Sequence, residues 1–412
     1  MEQLCETIRQ SVLERMDFSK ELPDAELQEL IAKEMSCQKN VERLTIQQRI
    51  FVEQRVFNSL RKLDVLQELL EDDAITEIMV NGPNHIFYEK NGVFYEHPYH
   101  FASEEKLQDV VQQIVGKHNR VVNLTSPIVD TRLEDGSRVN IVLMPIAVDG
   151  SAISIRKFGR EPIDMQALID LGTVNEEVSE FLKQIVVARY NIFISGGTSS
   201  GKTTFLNALS AFIPSNERVI TIEDSAELQL QQMTNLVRLE TRNSNQEGVK
   251  AITARDLIHT ALRMRPDRII VGECRGEETL DMLQAMNTGH DGSLSTGHGN
   301  SIRDMLSRLE MMVLMGTELP LASIRQQIAM GIDIMIHLER GRDHKRRIVE
   351  IAELTGVRDG EIQINTLYEY CDGIKQVGQL KDDAKWNFIR REKKDDKEYI
   401  PPDTERMGRR NS

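Results

Sequence analysis

The chain has 412 residues, 40% of them apolar, and a formal net charge of −14; at ~100–200 residues per domain this predicts two or three units, each with its own core. The acidic balance opposes a broad nucleic-acid-binding surface, and Cys5, Cys37, Cys274 and Cys371 lie too far apart for a CxxC zinc site or a disulfide framework. No apolar run reaches the ~18 residues of a membrane helix and the acidic start lacks a signal-sequence pattern, so a cytoplasmic protein is expected.

Residues 1–62 predict helices only, a helical extension without evident chemistry. Pro23, Asp24 and Glu26 read as a helix start, with acids at the positive end of the dipole. Within Thr45–Leu60, residues Ile46, Ile50, Val52, Val56, Phe57 and Leu60 recur three and four apart and predict one apolar face. Residues 63–162 predict a small α+β domain. Its strands are Ile75–Val80, the hairpin pair Ile86–Lys90 and Val93–Glu96 across Asn91-Gly92, and then Arg138–Leu143 and Ala152–Phe158, with a helix over Ser103–Lys117. Gly159–Pro162 reads as a linker.

From 163 to 372 strands alternate with helices, which predicts an α/β domain with a largely parallel sheet covered on both sides. The strands are Asn191–Ser195, Arg218–Ile222, Leu236–Leu239, Arg268–Val271 and Ser293–Thr296, and Thr253 with Asp256 caps a helix over Thr253–Met264. Met305, Met311, Met312 and Met315, with Leu306, Leu309 and Leu314, read as core filling on one helix. Arg347–Leu354 and Glu361–Tyr368 form a terminal hairpin, and residues 373–412 read as a charged tail, solvated over its last ~30 residues.

The chemistry starts at Gly196-Gly197-Thr198-Ser199-Ser200-Gly201-Lys202-Thr203, with Thr204 following, which fits GxxxxGK[ST] without a mismatch. A strand feeds this loop and a helix leaves it, so its backbone N–H groups are set to cradle phosphates. Lys202 then supplies charge to the β- and γ-phosphates of ATP and the Thr203 hydroxyl ligates Mg²⁺. Glu223, Asp224 and Glu227 follow a strand at the end where α/β sheets place ligands, and a carboxylate there orients water or holds hydrated Mg²⁺. Ile269–Val271, Gly272 and Glu273 form an apolar strand ending in a second acid near the metal, whereas Asp267 reads as a turn residue. His290 and His298, lacking a third metal ligand, read as donors that sense the γ-phosphate. Arg138, Arg156, Arg263, Arg265 and Arg275 are candidate phosphate contacts, because phosphoryl transfer gains from an arginine at the moving group.

At these residues the chain resembles the secretion-superfamily ATPases of type II and type IV secretion, most closely the CpaF branch that assembles tight-adherence pili. The resemblance runs from about Asp64 to Leu354. Four blocks carry it: the Walker A loop, the "Asp box" Thr221–Leu228, the Walker B strand with Gly272–Gly276, and the "His box" Gly289–His298. Leu262–Arg268 is also close to that branch's wording, and no tetracysteine module is present. The resemblance implies a hexameric ring at the cytoplasmic face of the inner membrane. There a RecA-like C-terminal domain and the α+β domain would close on MgATP and push a membrane platform protein. It also implies that Glu227 polarises water, Glu273 is the Walker B acid, His298 meets the γ-phosphate, and Arg138 and Arg156 reach the nucleotide. Cys274 replaces an aliphatic residue of the branch, which suggests sensitivity to thiol oxidation. Three readings compete with pilus assembly: the energiser of a conjugative type IV secretion system, a RecA-like motor on nucleic acid, and a non-catalytic nucleotide-binding scaffold.

Overall fold

The computed structural model describes residues 1–17, 19–20, 22–38, 41–117, 121–157, 163–242 and 250–387. The expected linker at Gly159–Pro162 and the stretch 388–412 of the expected tail lie outside them. The described residues fall into two units, one up to residue 157 and one from residue 163.

The first unit begins with helices α1 (Glu2–Arg15), α2 (Asp24–Ser36) and α3 (Ile46–Arg61), packed around Ile8, Val12, Leu27, Ile31, Val52 and Val56. Thr45 opens α3 with a capping box: its hydroxyl accepts the Gln48 N–H at 3.2 Å, and the Gln48 side chain accepts the Thr45 N–H at 2.9 Å. The apolar face expected on α3 is narrower than the sequence suggests. Ile46 and Ile50 are exposed, because at ~100° per residue they lie well round the helix from Val52 and Val56.

A short helix α4 (Gln67–Glu71) then leads into β1 (Ile75–Asn81), β2 (Ile86–Lys90), β3 (Val93–Glu96), α5 (Glu104–Gly116), β4 (Ile128–Arg132), β5 (Arg138–Val142) and β6 (Ala152–Arg156). The strands form an antiparallel sheet ordered β3-β2-β1-β6-β5-β4. Leu107, Val110, Val111 and Ile114 of α5 pack in one cluster with Ile78, Val139, Ile141, Ile153 and Ile155. Asn91 and Gly92 have φ of 55° and 77°, the backbone that a two-residue type I′ hairpin turn requires. Strand β4 is not evident from sequence.

The second unit contains α6 (Met165–Asp170), α7 (Glu176–Val187), β7 (Ile192–Gly196), α8 (Lys202–Ser210), β8 (Arg218–Glu223), β9 (Asn235–Glu240), α9 (Ala254–Ala261), β10 (Arg268–Val271), α10 (Glu278–Asn287), β11 (Leu294–His298), α11 (Ile302–Gly316), α12 (Leu321–Gly331), β12 (Ile334–Arg340), β13 (Arg346–Arg358), β14 (Glu361–Tyr370) and β15 (Ile374–Gln376). Six strands run parallel in the order β12-β7-β11-β10-β8-β9, and β13, β14 and β15 extend the β12 edge as an antiparallel meander. Successive residues alternate between two cores, as the strand period demands. Ile192 and Ile194 join Ile185, Phe205 and Leu209, while Phe193 joins Ile220, Leu283, Leu309 and Ile328. Both faces are thus buried, as a parallel sheet requires. Among the described residues no helix is long and apolar enough to cross a membrane.

Two sequence expectations are corrected in this unit. Met305, Met312, Leu306 and Leu309 fill the core, but Met311, Leu314 and Met315 are exposed on the outer side of α11. The first part of the charged tail expected from residue 373 is docked on the second unit over 373–387, although many of its side chains are exposed. Strand β15 pairs with β14, Trp386 packs on the core, and the Tyr190 hydroxyl donates to the Asp382 carbonyl at 2.8 Å. Buried Glu353 accepts the N–H groups of Lys381 and Asp382, and Lys385 pairs with Asp291 and Asp333 at 2.9 and 2.7 Å. At the start of β10, Arg268 is wholly buried and grips Glu217 at 2.6 Å.

Candidate functional site

The parallel strands sort the candidate residues by strand direction. Strands β7, β11, β10 and β8 all point the same way, so Gly196, His298, Gly272-Glu273 and Glu223 gather at their C-terminal ends. That is the edge where ligands bind in open α/β sheets.

The loop from Gly196 to Thr203 leaves β7 and enters α8 through Gly201, whose φ of 92° is left-handed. Ser199 also has positive φ, 60°, the curl that turns successive N–H groups inward. A Cβ on Gly196 would lie 2.5 Å from both the Leu338 carbonyl oxygen and Ser200 Oγ, so glycine is sterically required there. Ser200 Oγ is buried without a hydrogen-bond partner, and no side chain caps the first turn of α8. Both leave donors for an anion. Thr198 and Ser199 are exposed, and Thr203 and Thr204 are half-buried.

Lys202 is 8% exposed, and its Nζ donates to the carbonyls of Gly196 at 3.0 Å and Gly197 at 2.9 Å. Burial lowers its pKa and the Glu273 carboxylate opposes that shift. His298 stands between the two: Nδ1 is 3.2 Å from Lys202 Nζ, and Nε2 is 2.9 Å from Glu273 Oε1. The second contact is close but not aligned as a hydrogen bond, and Oε1 is buried without one. Burial first, then the Lys202 charge, lowers the His298 pKa and favours the neutral ring. Arg275 binds Glu273 Oε2 at 2.7 Å and pairs with Asp224 at 3.3 Å, which ties the Walker B strand to the Asp box.

Glu223 and Glu227 have different surroundings. Glu223 is buried, and its Oε2 accepts the backbone N–H groups of Glu227 at 2.7 Å and Leu228 at 2.9 Å. Burial raises its pKa. Through Oε2 it braces the loop, while Oε1 is buried without a hydrogen bond. Gly272 has to be small beside it, since a Cβ there would lie 2.9 Å from Glu223 Cγ. Asn207 of α8 secures the far side of the loop by accepting the Gln229 N–H at 2.8 Å. Glu227 is left half-buried at the mouth of this braced loop.

Other candidates do not join the cluster. His290 precedes β11 by four residues and therefore lies at the N-terminal edge of the sheet, ~13 Å or more along the strand from His298; its carbonyl accepts the Ser293 hydroxyl at 2.8 Å. It is corrected to a turn residue. Arg263 and Arg265 are exposed before the start of β10, at the same far edge. Asp267 receives the Arg218 N–H there at 2.7 Å, a turn residue as expected. Arg138 and Arg156 belong to the first unit, where they face each other directly across β5 and β6, with Arg132 next to Arg138 on β4.

Two residues near the loop were missed by sequence reasoning. Arg346 Nε donates to the Ser199 carbonyl at 3.1 Å, and its Cδ would lie 2.9 Å from a Cβ on Gly201. It lines a cavity of about 220 Å³ with Ile163, Leu168, Leu171, Thr204 and Phe205. His337 of β12 is buried against Ser195, with Nδ1 2.8 Å from its hydroxyl. Neither stands in a motif, and only strand pairing brings them to the loop. Cys274 is fully buried, with Sγ 3.3 Å from Ser295 Oγ, and burial pushes its thiol up to about 12. The expected sensitivity to oxidation is therefore corrected, because such a thiol carries almost no thiolate.

The sequence profile of the "Type II/IV secretion system protein" family matches residues 59–365. A Mycobacterium tuberculosis protein assigned provisionally to conjugal transfer is 33% identical over 316 residues, covering 75% of this chain and 89% of that protein. The type IV secretion system protein PtlH of Bordetella pertussis is 32% identical over 315 residues, 70% of this chain and 93% of its own. Among solved structures, the ATPase DotB of Legionella pneumophila superposes with a TM-score of 0.51 at 22% identity, over 69% of this chain and 78% of that one, a likeness of fold.

Proposed function

This chain belongs to the type II/IV secretion system protein family, and we propose that it is a hexameric motor that spends MgATP on assembling a pilus or driving secretion. It is an ATP-hydrolysing enzyme with a P-loop domain of α/β architecture. The single observation that carries the mechanism is the convergence of Lys202, His298 and Glu273 within ion-pair distance at the tips of three adjacent parallel strands.

In this reading the curled loop and the first turn of α8 receive the phosphates of ATP through backbone N–H groups. Lys202 exchanges the Gly196 and Gly197 carbonyls for the β- and γ-phosphates. The residues fit a divalent cation: Glu273 Oε1 is buried without a hydrogen bond, and Thr203 is in the first turn of α8 beside the phosphate cradle. Thr203 and Glu273 would hold Mg²⁺, which would supply charge neutralisation at the phosphates. Glu227 orients a water whose oxygen attacks the γ-phosphorus as the bond to the β-phosphate oxygen breaks, giving ADP and phosphate and releasing a proton. Neutral His298 donates to the γ-phosphate, and Arg275 positions Glu273. The cavity beside Arg346, Thr204 and Phe205 suits the base.

The wording of Leu262–Arg268 and of the His box resembles the CpaF branch and supports tight-adherence pilus assembly through an inner-membrane platform protein at the cytoplasmic face. The names of the Mycobacterium and Bordetella relatives support the alternative, the energiser of a type IV secretion system. Whether neighbouring genes encode prepilins and a platform protein, or relaxase and coupling proteins, separates the two. The net charge of −14 speaks against direct work on nucleic acid.

The test follows ATPase rate and mass together, with and without Mg²⁺, for the wild type, Lys202→Ala and Glu227→Gln. The reading requires activity to rise with assembly toward six subunits, and both variants to lose it while Glu227→Gln still binds ATP. Full turnover by a monomer would remove the ring, and wild-type turnover by Glu227→Gln would remove the water assignment.

A further inference from the structure

The proposed mechanism needs two parts held in fixed register: the root of the P-loop at Ser195-Gly196, and the turn that carries His298. One buried side chain touches both. His337 lies on β12, directly across from Ser195 of β7, and is 5% exposed. Its Nδ1 is 2.8 Å from Ser195 Oγ, and the backbone of Asn300, two residues beyond His298, lies close enough to the ring to favour its protonation. The Gly299 N–H closes the same corner by donating to the Gly196 carbonyl at 3.4 Å.

Nδ1 and the Ser195 hydroxyl share one hydrogen bond, which holds the ring against the root of the loop. Burial, with the charge of Lys202, favours the neutral ring, against Glu339, the Asn300 backbone and Asp304, which favour protonation. Packing alone would be served by an apolar residue, such as the adjacent Ile336 and Leu338 on this strand, and burying a polar ring is unfavourable unless its hydrogen bonds are used. The pairing of β12 with β13 also slips between His337 and Leu338, an irregularity of the kind that re-aims a side chain beside a functional site.

We propose that His337 is a positioning residue that locks the His298 turn to the root of the P-loop, so that His298 meets the γ-phosphate. This rests on the assignment of His298 made above. The partner recognised is internal, the Ser195 hydroxyl beside the Asn300 turn, and the consequence is read in turnover.

The experiment is a double-variant cycle in steady-state ATPase on the full chain: wild type, His298→Ala, His337→Phe and the pair. His337→Phe is expected to lower kcat about tenfold, while KM for ATP moves less than about threefold. Added to His298→Ala, it is expected to change kcat less than about twofold. His337→Gln, which can donate and accept at similar reach, is expected to recover most of the loss, and it carries the same cycle if the Phe variant does not fold. Equal losses from the His337 change in both backgrounds overturn the proposal, because the ring would then act through something other than His298. An unchanged kcat in His298→Ala overturns the γ-phosphate assignment itself, and the positioning role with it.

Discussion

Glu227 donates its backbone N–H to the carboxylate of Glu223, four residues earlier, at 2.7 Å. The acid proposed to orient the water is thus held by the buried carboxylate before it. The pair separates in mutagenesis. Glu223→Gln retains an acceptor for the two N–H groups and is expected to keep kcat within about threefold, whereas Glu223→Ala frees the loop and lowers kcat about tenfold or more. Glu227→Gln lowers kcat by about a hundredfold or more with ATP affinity retained. Nucleotide titration beside turnover checks all three, and equal turnover in Glu223→Gln and Glu227→Gln would contradict the division of labour.

Glu223 also imposes a pH dependence on stability. Its folded pKa lies above the model-peptide value of 4.5 because burial disfavours the charged form. A raised carboxyl favours the fold fully below the unfolded value, and that contribution is lost as pH rises through the folded one. Thermal melts of wild type and Glu223→Gln from pH 4.5 upward are expected to show the wild type losing ground to the variant as pH increases. Parallel curves would remove the effect.

Cys274 is expected to resist reagents while the protein is folded. A thiol-labelling time course should show Cys37 and Cys371 reacting first, since both are exposed, with Cys274 reacting only on unfolding. A variant with Cys37→Ser and Cys371→Ser is then expected to keep its ATPase activity after mild oxidation. Rapid labelling of Cys274 in the native protein would contradict its burial.

Arg268 and Glu217 form a buried pair at the far edge of the sheet. Replacing Arg268 by Met leaves the Glu217 carboxylate with only the partly exposed Arg189 at 3.4 Å, which is expected to cost up to about 3–5 kcal/mol, the range for a fully broken buried pair. Replacing both partners by apolar residues is expected to cost less. Urea unfolding of the two variants checks the order.

Motif residues were legible in sequence because each block has its own composition, and the hairpins were legible because Asn-Gly and Asp-Gly turns name themselves. Strand β12 was not. Ile334-Met335-Ile336-His337-Leu338 is a continuous run buried on both faces, which lacks the alternation that distinguishes a strand from a buried helix. Its loss hid His337, since the contact with Ser195 exists only through strand pairing. Ile46, Ile50, Met311 and Met315 were misplaced for a related reason. A helix with apolar residues on several sides buries one stripe, and sequence does not say which. His290, Arg263 and Arg265 sit near motifs along the chain, but strand direction puts them at the opposite edge.

The docking of residues 373–387 has a practical side. Trp386 is packed on the core and Lys385 is tied to Asp333, so the C-terminal stretch up to residue 387 belongs to the folded ATPase unit. A purification tag or fluorescent fusion therefore belongs after residue 387. Joined any earlier, it would displace the segment that closes the edge beside Tyr190 and Glu353, and a loss of activity would then be misread as an effect of the tag on cargo or partners.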